Sequence, residues 1–263
     1  MKPKVSIITI TFNAGRFLKN TIESIISQTN KEFEYLIVDG GSTDNTLDII
    51  KQYDNHRYFS YDEAMSRDIA DCNEIVWISE PDKGLYDAMN KGLHLAQGDF
   101  VWFVNAGDKI YNNGTLQRIV DTIGANPSCD VVYGQSIIID EEENILGERH
   151  KIAPQDLTRR SLLNGLVVCH QSILVRKAIA PDYDIQYRIS ADYDWVCKVL
   201  AKSAQNCYID DYLSRFMIAG VSARQRKKSW LERYRIMKKH FGIMATLWAH
   251  VKIIAKYPFS RKE

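Results

Sequence analysis

Residues 33–46 read FEYLIVDGGSTDNT. A short apolar, β-branched run that stops at an acid and a glycine pair is the pattern of a strand buried on both faces. The turn Gly40-Gly41-Ser42-Thr43-Asp44 leads into a helix expected to reach about Tyr53, with Ser42 or Thr43 as its N-cap. The same punctuation repeats outward from this stretch. Upstream, residues 4–11 (KVSIITIT) read as a strand, and residues 14–28 as a helix with Phe17, Leu18, Ile22, Ile25 and Ile26 on one face. Downstream come a strand at 74–79, a helix at 84–97, a very apolar strand at 100–104 and a helix at 116–123. Such alternation predicts an α/β fold with a mostly parallel, doubly covered sheet.

After Pro127 the pattern changes. Residues 130–140 and 145–149 are expected to pair as a hairpin across 141–144. A short strand at 172–175, a loop at 178–189, a helix at 192–202 and a last strand at 207–210 follow, and from Lys227 the chain is helical and basic.

The chain has 263 residues, 45% hydrophobic and 25% charged, which is ample for a buried core and excludes a disordered or collagen-like chain. Its net charge of +1 hides an asymmetry. Residues 224–263 carry 12 Lys+Arg against 2 Asp+Glu, a net of +10, so residues 1–223 carry −9. The expected division is a catalytic-type domain over 1–223 and a basic amphipathic helical tail over 224–263. Five scattered cysteines without C-x-x-C spacing argue against a disulfide framework or a zinc site, and for a reducing compartment. The N-terminal run is too short for a signal peptide, and no stretch has the roughly 18 uninterrupted apolar residues of a membrane span. A cytoplasmic protein is expected.

In open α/β sheets, ligands bind beyond the carboxyl ends of the strands. Here those ends carry Thr11-Phe12-Asn13, Asp39-Gly40-Gly41, Glu80-Pro81-Asp82-Lys83-Gly84 and Asn105-Ala106-Gly107-Asp108. Acids gathered on one edge suit a divalent cation and a diphosphate, although Asp44 reads better as a helix cap. No G-x-G and no G-x-x-x-x-G-K-[ST] occurs. Hydride transfer on a dinucleotide fold and P-loop phosphoryl transfer are therefore disfavoured.

VSIITITFN (5–13), YLIVDGGSTDNT (35–46), EPDKGLYDAMNKG (80–92), FVWFVNAGD (100–108) and ADYDW (191–195) together resemble the inverting glycosyltransferase family 2 with the GT-A fold, over residues 4–222. The 80–92 block further resembles a branch used in bacterial capsule, exopolysaccharide and O-antigen assembly. The resemblance implies a nucleotide-sugar donor of UDP or GDP type and an acceptor hydroxyl. It places Thr11, Phe12 and Asn13 in the nucleobase pocket, Asp39 on the base or ribose, and Asp82, Lys83 and Asn90 toward the ribose and diphosphate. Asn105–Asp108 stands where the family has Asp-x-Asp. With Asn105 and Gly107 at positions where carboxylates are common, Asp108 is left as the one direct ligand for Mg²⁺ or Mn²⁺. Asp192 matches the catalytic base, although Ala191 replaces the usual Glu, and Asp194 reads as structural. His170 and Gln171 are either pocket wall or a hydrogen-bonded structural pair. Arg215 and Ser222 resemble a lid loop near the diphosphate, hinged at Gly220.

The tail admits three readings: packing on the domain, nucleic acid, or lipid. Trp230, Leu231, Tyr234 and Met237 at helical spacing among basic residues favour a peripheral helix on an anionic membrane over nucleic acid. That location, the inner face of the cytoplasmic membrane, suits a lipid-linked saccharide acceptor. The rival function is a non-catalytic sugar-nucleotide-binding or scaffold protein with a degenerate metal motif.

Overall fold

A computed structural model describes residues 3–53, 55–67, 74–218 and 226–256. Its centre is a ten-stranded sheet. The first half comprises β1 (Val5–Thr11), β2 (Phe33–Asp39), β3 (His56–Tyr58), β4 (Ile75–Ser79) and β5 (Phe100–Phe103), all parallel in the order β3-β4-β2-β1-β5. The second half adds β6 (Lys109–Ile110), β7 (Val131–Ile139), β8 (Ile145–Glu148), β9 (Ile173–Arg176) and β10 (Asn206–Met217). The order continues β5-β9-β7-β10-β6, with β8 on β7 as the expected hairpin. Here β9 is antiparallel to β5 and β7, whereas β10 is parallel to β7.

Helices α1 (Gly15–Ile26), α2 (Thr46–Ile50) and α5 (Thr115–Ala125) cover one face. The other is covered by α3 (Tyr61–Met65), α4 (Leu85–Leu95), α6 (Ala191–Lys202) and α7 (Arg226–Lys256). The two-residue period of β1 divides between the layers. Val5 and Ile7 join Leu18, Ile22 and Ile25 of α1, while Ile8 and Ile10 join Met89 and Leu93 of α4. All seven β1 residues are buried, as a strand covered on both faces requires. Buried Glu34 of β2 is compensated by buried Arg67 at 2.6 Å.

Several elements depart from the expected pattern. The last strand runs to Met217, not Asp210, because its pairing with β7 shifts register around Tyr212, letting the charged Asp210–Asp211 pair sit at an irregularity. The second helix stops at Ile50, and its N-cap is Asn45 rather than Ser42 or Thr43, with Asp44 just before it accepting the first helical N–H. Asp44 Oδ1 accepts the Thr46 N–H at 3.0 Å, and its Oδ2 accepts that of Gly15 at 3.1 Å, so one carboxylate starts two helices. The short elements β3, α3 and β6 carry no readable period.

The tail is one helix broken at Gly242 (φ +80°). The Trp230 and His250 rings meet edge to face at 5.2 Å, so the two arms fold back on each other. Ile236, Met237 and Ala249 are buried in the core shared with α6. Among the described residues, no helix is long and apolar enough to cross a membrane. Cys129, Cys169, Cys197 and Cys207 are free and buried; Cys72 lies outside the described residues.

Candidate active site

The carboxyl ends of β1, β2 and β4 form one row, with Thr11 in register with Asp39 and Asp39 with Ser79. Asp39 is buried and spends most of its acceptor capacity locally. Its Oδ2 accepts the N–H groups of Gly41 (3.0 Å) and Ser42 (2.8 Å) and the Ser79 hydroxyl (2.7 Å), and its Oδ1 the Ser42 hydroxyl. Asp39 thus shapes the turn that follows it. Asn13, in the left-handed region at φ 47°, ties the first loop to that turn: its N–H donates to Ser42 Oγ, and its Oδ1 accepts from the Thr43 N–H.

Gly40 forms the floor between Phe12 and Asp82. A Cβ at this position would collide with the Asp82 carboxylate and press on the Phe12 ring at 3.3 Å. Phe12 is 60% exposed. An exposed ring beside a carboxylate can stack a nucleobase and accept hydrogen bonds from a sugar. The Thr11 hydroxyl in the same row is buried, with no partner among the described residues.

The 80–92 block is divided by the fold. Asp82 faces Gly40 and accepts the Gly84 N–H at 2.6 Å. Lys83 is exposed. Asn90 points elsewhere: its Nδ2 donates to the Tyr183 carbonyl (3.0 Å), and its Oδ1 accepts the Tyr183 N–H (2.7 Å). It braces the loop before α6 instead of meeting a ribose or diphosphate.

Asp108 is buried in a turn held by Thr21, whose hydroxyl donates to the Asp108 carbonyl at 2.8 Å. Its carboxylate accepts Gln171 Nε2 (2.9 Å) and the Met217 N–H (3.0 Å), while burial pushes its pKa up to about 7. In the same turn, Asn105 Oδ1 is buried with no partner among the described residues. Each Asp108 oxygen keeps a further lone pair, so this turn offers only hard oxygen donors, which fits Mg²⁺ or Mn²⁺. Among the described residues, no group of three His, Cys, Asp or Glu side chains is gathered around a metal position. A cation here depends on oxygens from its ligand.

Asp192 begins α6 half-buried. Its Oδ1 accepts the Tyr193 N–H (2.8 Å) and lies 3.4 Å from the Tyr86 hydroxyl. Burial raises its pKa, while the charges of Arg149 and Arg233 act against that rise. Beneath it lies an aromatic layer in which Tyr183 stacks on Trp195 at 5.0 Å and on Tyr86 at 5.8 Å. His170 belongs to this layer: it is buried, bonds the Tyr183 hydroxyl at 2.8 Å, and has its pKa pushed down to about 4 by burial. It is a structural support, while its neighbour Gln171 reaches Asp108. Asp194 is structural as expected, paired with Lys198, Lys239 and His240.

Arg215 is not gathered with these groups. Ser214 bonds Ser136 and Ser172, so strand alternation turns Arg215 to the other face. There its Nε donates to the Tyr111 carbonyl (3.1 Å), and it lines an open cleft of about 740 Å³ beside α1. Ser222 and Gly220 lie outside the described residues.

Two positioning residues escaped the sequence reading. Tyr86 lies in the 80–92 block, where its position in the first turn of α4 carries no sequence signal of a contact with the start of α6. Glu232 is the sole acid between residues 224 and 262, a signal that it serves a particular contact.

The Glycosyl transferase family 2 model matches residues 6–183. A Mycobacterium bovis PGL/p-HBAD biosynthesis glycosyltransferase is 34% identical over 206 residues, spanning 77% of this chain and 72% of the relative. The putative teichuronic acid biosynthesis glycosyltransferase TuaG of Bacillus subtilis is 25% identical over 257 residues, spanning 95% and 94%. Among solved structures, S. aureus TarS 1–349 superposes with a TM-score of 0.69 at 19% identity, covering 98% of this chain and 75% of that one. The same TarS fragment has also been solved with UDP-GlcNAc. Against the longer TarS chain, this protein spans 39% of its length. The sheet order, the helical layers and these matches agree on the GT-A fold, and the chain belongs to glycosyltransferase family 2.

Proposed function

We propose that this protein moves a sugar from a UDP- or GDP-type donor to an acceptor hydroxyl with inversion, in the assembly of a cell-surface polysaccharide or glycolipid. The observation that carries the reading is Asp192: a half-buried carboxylate whose proton affinity is raised by burial, held by the Tyr193 N–H beside the Tyr86 hydroxyl, which donates to the Ile189 carbonyl. Such a group is poised as a general base. As the acceptor oxygen bonds the anomeric carbon, its proton passes to Asp192. The bond from that carbon to the diphosphate breaks, and the nucleoside diphosphate leaves with the electron pair. Phe12 stacks the base, Asp82 takes a sugar hydroxyl, and Asp39 keeps their turn in shape. Asp108 and Asn105 would hold Mg²⁺ or Mn²⁺, which when bound neutralises charge on the leaving diphosphate.

The relatives named for PGL/p-HBAD and teichuronic acid biosynthesis support a cell-surface product. The tail supports a lipid-linked acceptor at the inner face of the cytoplasmic membrane. Ile243, Met244, Leu247 and Val251 expose apolar side chains at helical spacing, in a segment of net +10.

Asp192→Asn tests the reading. Sugar transfer from a panel of UDP- and GDP-sugars with Mn²⁺ should fall by about 10²-fold or more. Donor affinity by calorimetry should stay within a few-fold of wild type. Turnover in the variant within a few-fold of wild type would remove Asp192 as the base, whereas no transfer by the wild type from any donor would favour the non-catalytic rival, which the missing acids at 105 and 107 otherwise support.

A further inference from the structure

Three cations from two segments meet around Gly165, and the charges of two of them, Arg149 and Arg233, act on Asp192. Arg149 and Lys151 follow β8, and Arg233 stands on α7 next to Glu232. They converge at Gly165, where a Cβ would collide with both the Arg233 guanidinium and the Lys151 ammonium. Gly165 also has φ +87°, so the backbone there needs glycine twice over. Lys151 donates to the Asn164 carbonyl (2.9 Å), and Arg149 to those of Leu166 (3.1 Å) and Val167 (3.3 Å).

Elsewhere, enclosed Arg67 pairs with Glu34 and Lys198 with Asp194. These three have no carboxylate within ion-pair distance among the described residues. Burial and the charges of Arg233 and Arg149 push the Lys151 pKa down to about 8, a sign of how closely like charges are crowded. Crowded, unpaired cations are unfavourable until an anion arrives.

Their position identifies the side of the reaction they serve. The fields of Arg149 and Arg233 reach Asp192, and that of Arg149 also reaches Cys169, which bonds Gln171, the partner of Asp108. The nucleobase pocket is built from the ends of β1, β2 and β4. The cations come instead from the β8 side and α7. One turn before Arg233 on α7, Trp230 is 58% exposed, and its neighbour Leu231 is 48% exposed.

We propose that Arg149, Lys151 and Arg233 form a diphosphate subsite for the acceptor, seating the phosphates of a lipid-linked saccharide so that its sugar hydroxyl meets Asp192. The two guanidinium forks grip phosphate oxygens bidentately, and the ammonium acts as a point charge. Trp230 and Leu231 receive the start of the lipid chain. This assignment rests on the transferase reading above.

The test is calorimetry on the full chain in EDTA, with farnesyl diphosphate, inorganic pyrophosphate and UDP as probes. Wild type should bind farnesyl diphosphate more tightly than pyrophosphate. Arg233→Gln and Lys151→Gln should each weaken farnesyl diphosphate by about ten-fold or more while UDP stays within two-fold. The thermal midpoint of Arg233→Gln should equal or exceed that of wild type, because one unpaired like charge is gone; this separates lost binding from lost folding. Unchanged farnesyl diphosphate affinity in both variants overturns the site. An equal loss of UDP affinity overturns the acceptor assignment, since the cations would then serve the donor. Pyrophosphate binding as tightly as farnesyl diphosphate overturns the lipid assignment. No donor sugar or turnover enters these titrations, whereas the transferase reading stands on Asp192→Asn kinetics, so either can fail alone.

Discussion

Glu232 on α7 accepts the Ser190 N–H at 2.9 Å, two residues before Asp192. The same carboxylate accepts the N–H groups of Arg188 (3.0 Å) and Ile189 (2.9 Å). Three consecutive backbone donors ahead of α6 are therefore satisfied by one buried acid from the tail. The helix that carries the proposed base is held by the segment that looked separable.

Glu232→Ala should cost about 2 kcal/mol of stability, because it leaves these donors without their acceptor. Turnover should fall more than donor affinity, since the proposed nucleobase pocket is built on other strands. Glu232→Gln, which keeps an acceptor oxygen, should recover part of both. Urea unfolding and a comparison of kcat with donor affinity check this, and equal losses in both kinetic readouts would refute the positioning role.

Asp108→Asn should remove the cation-dependent part of UDP affinity and leave affinity in EDTA unchanged. Stability should change little, because relief of a buried carboxylate with an elevated pKa is offset by the amide NH2 facing one of the two donors, Gln171 or Met217, that the carboxylate accepted. Calorimetry with and without Mn²⁺ reads the first, and thermal melts the second. An intact Mn²⁺ effect in the variant would place the cation on other residues.

His170 makes stability depend on pH in a defined direction. Its folded pKa is pushed down to about 4 from an unfolded value near 6.5, so the unfolded chain binds more protons between the two. Its share of stability is complete above about pH 6.5 and is lost as pH falls toward 4, by up to about 3 kcal/mol. Denaturant titrations across this window should show a shallower slope in His170→Gln than in wild type. Parallel slopes would show that the buried imidazole is not the group responsible.

Membrane association should reside in the second arm of α7. Anionic vesicles should float the protein at low salt, each nearby Lys or Arg contributing about 1 kcal/mol, and added salt should weaken but not abolish the effect. Met244→Glu with Leu247→Glu should remove the salt-resistant part while UDP affinity is kept. Met244 is 77% exposed, so the change does not disturb the core. Cutting the chain before α7 is the wrong test, because it also removes Glu232, Ile236 and Met237 from the fold. Failure to float with anionic lipid at low salt would make this arm a protein-packing surface.

The amino-acid order by itself determined the parallel half of the sheet. Runs such as 5–11 and 33–39 are buried on both faces, so they are dominated by β-branched and other apolar residues and the strand is legible without its neighbours. It also determined which loops share the ligand edge, because parallel strands place all their carboxyl ends together. What only the tertiary structure decided is where polar side chains turn. Asn90 and Arg215 stand in motif-like positions, yet one braces a loop and the other points to the far face. Asp39 stands at the expected edge, but neighbouring hydroxyl and N–H groups occupy its carboxylate. The convergence of Arg149, Lys151 and Arg233, and the reach of Glu232 back to residue 188, join segments more than forty residues apart. No local period records such contacts, because they arise when α7 packs on α6 and the second half of the sheet closes against the first.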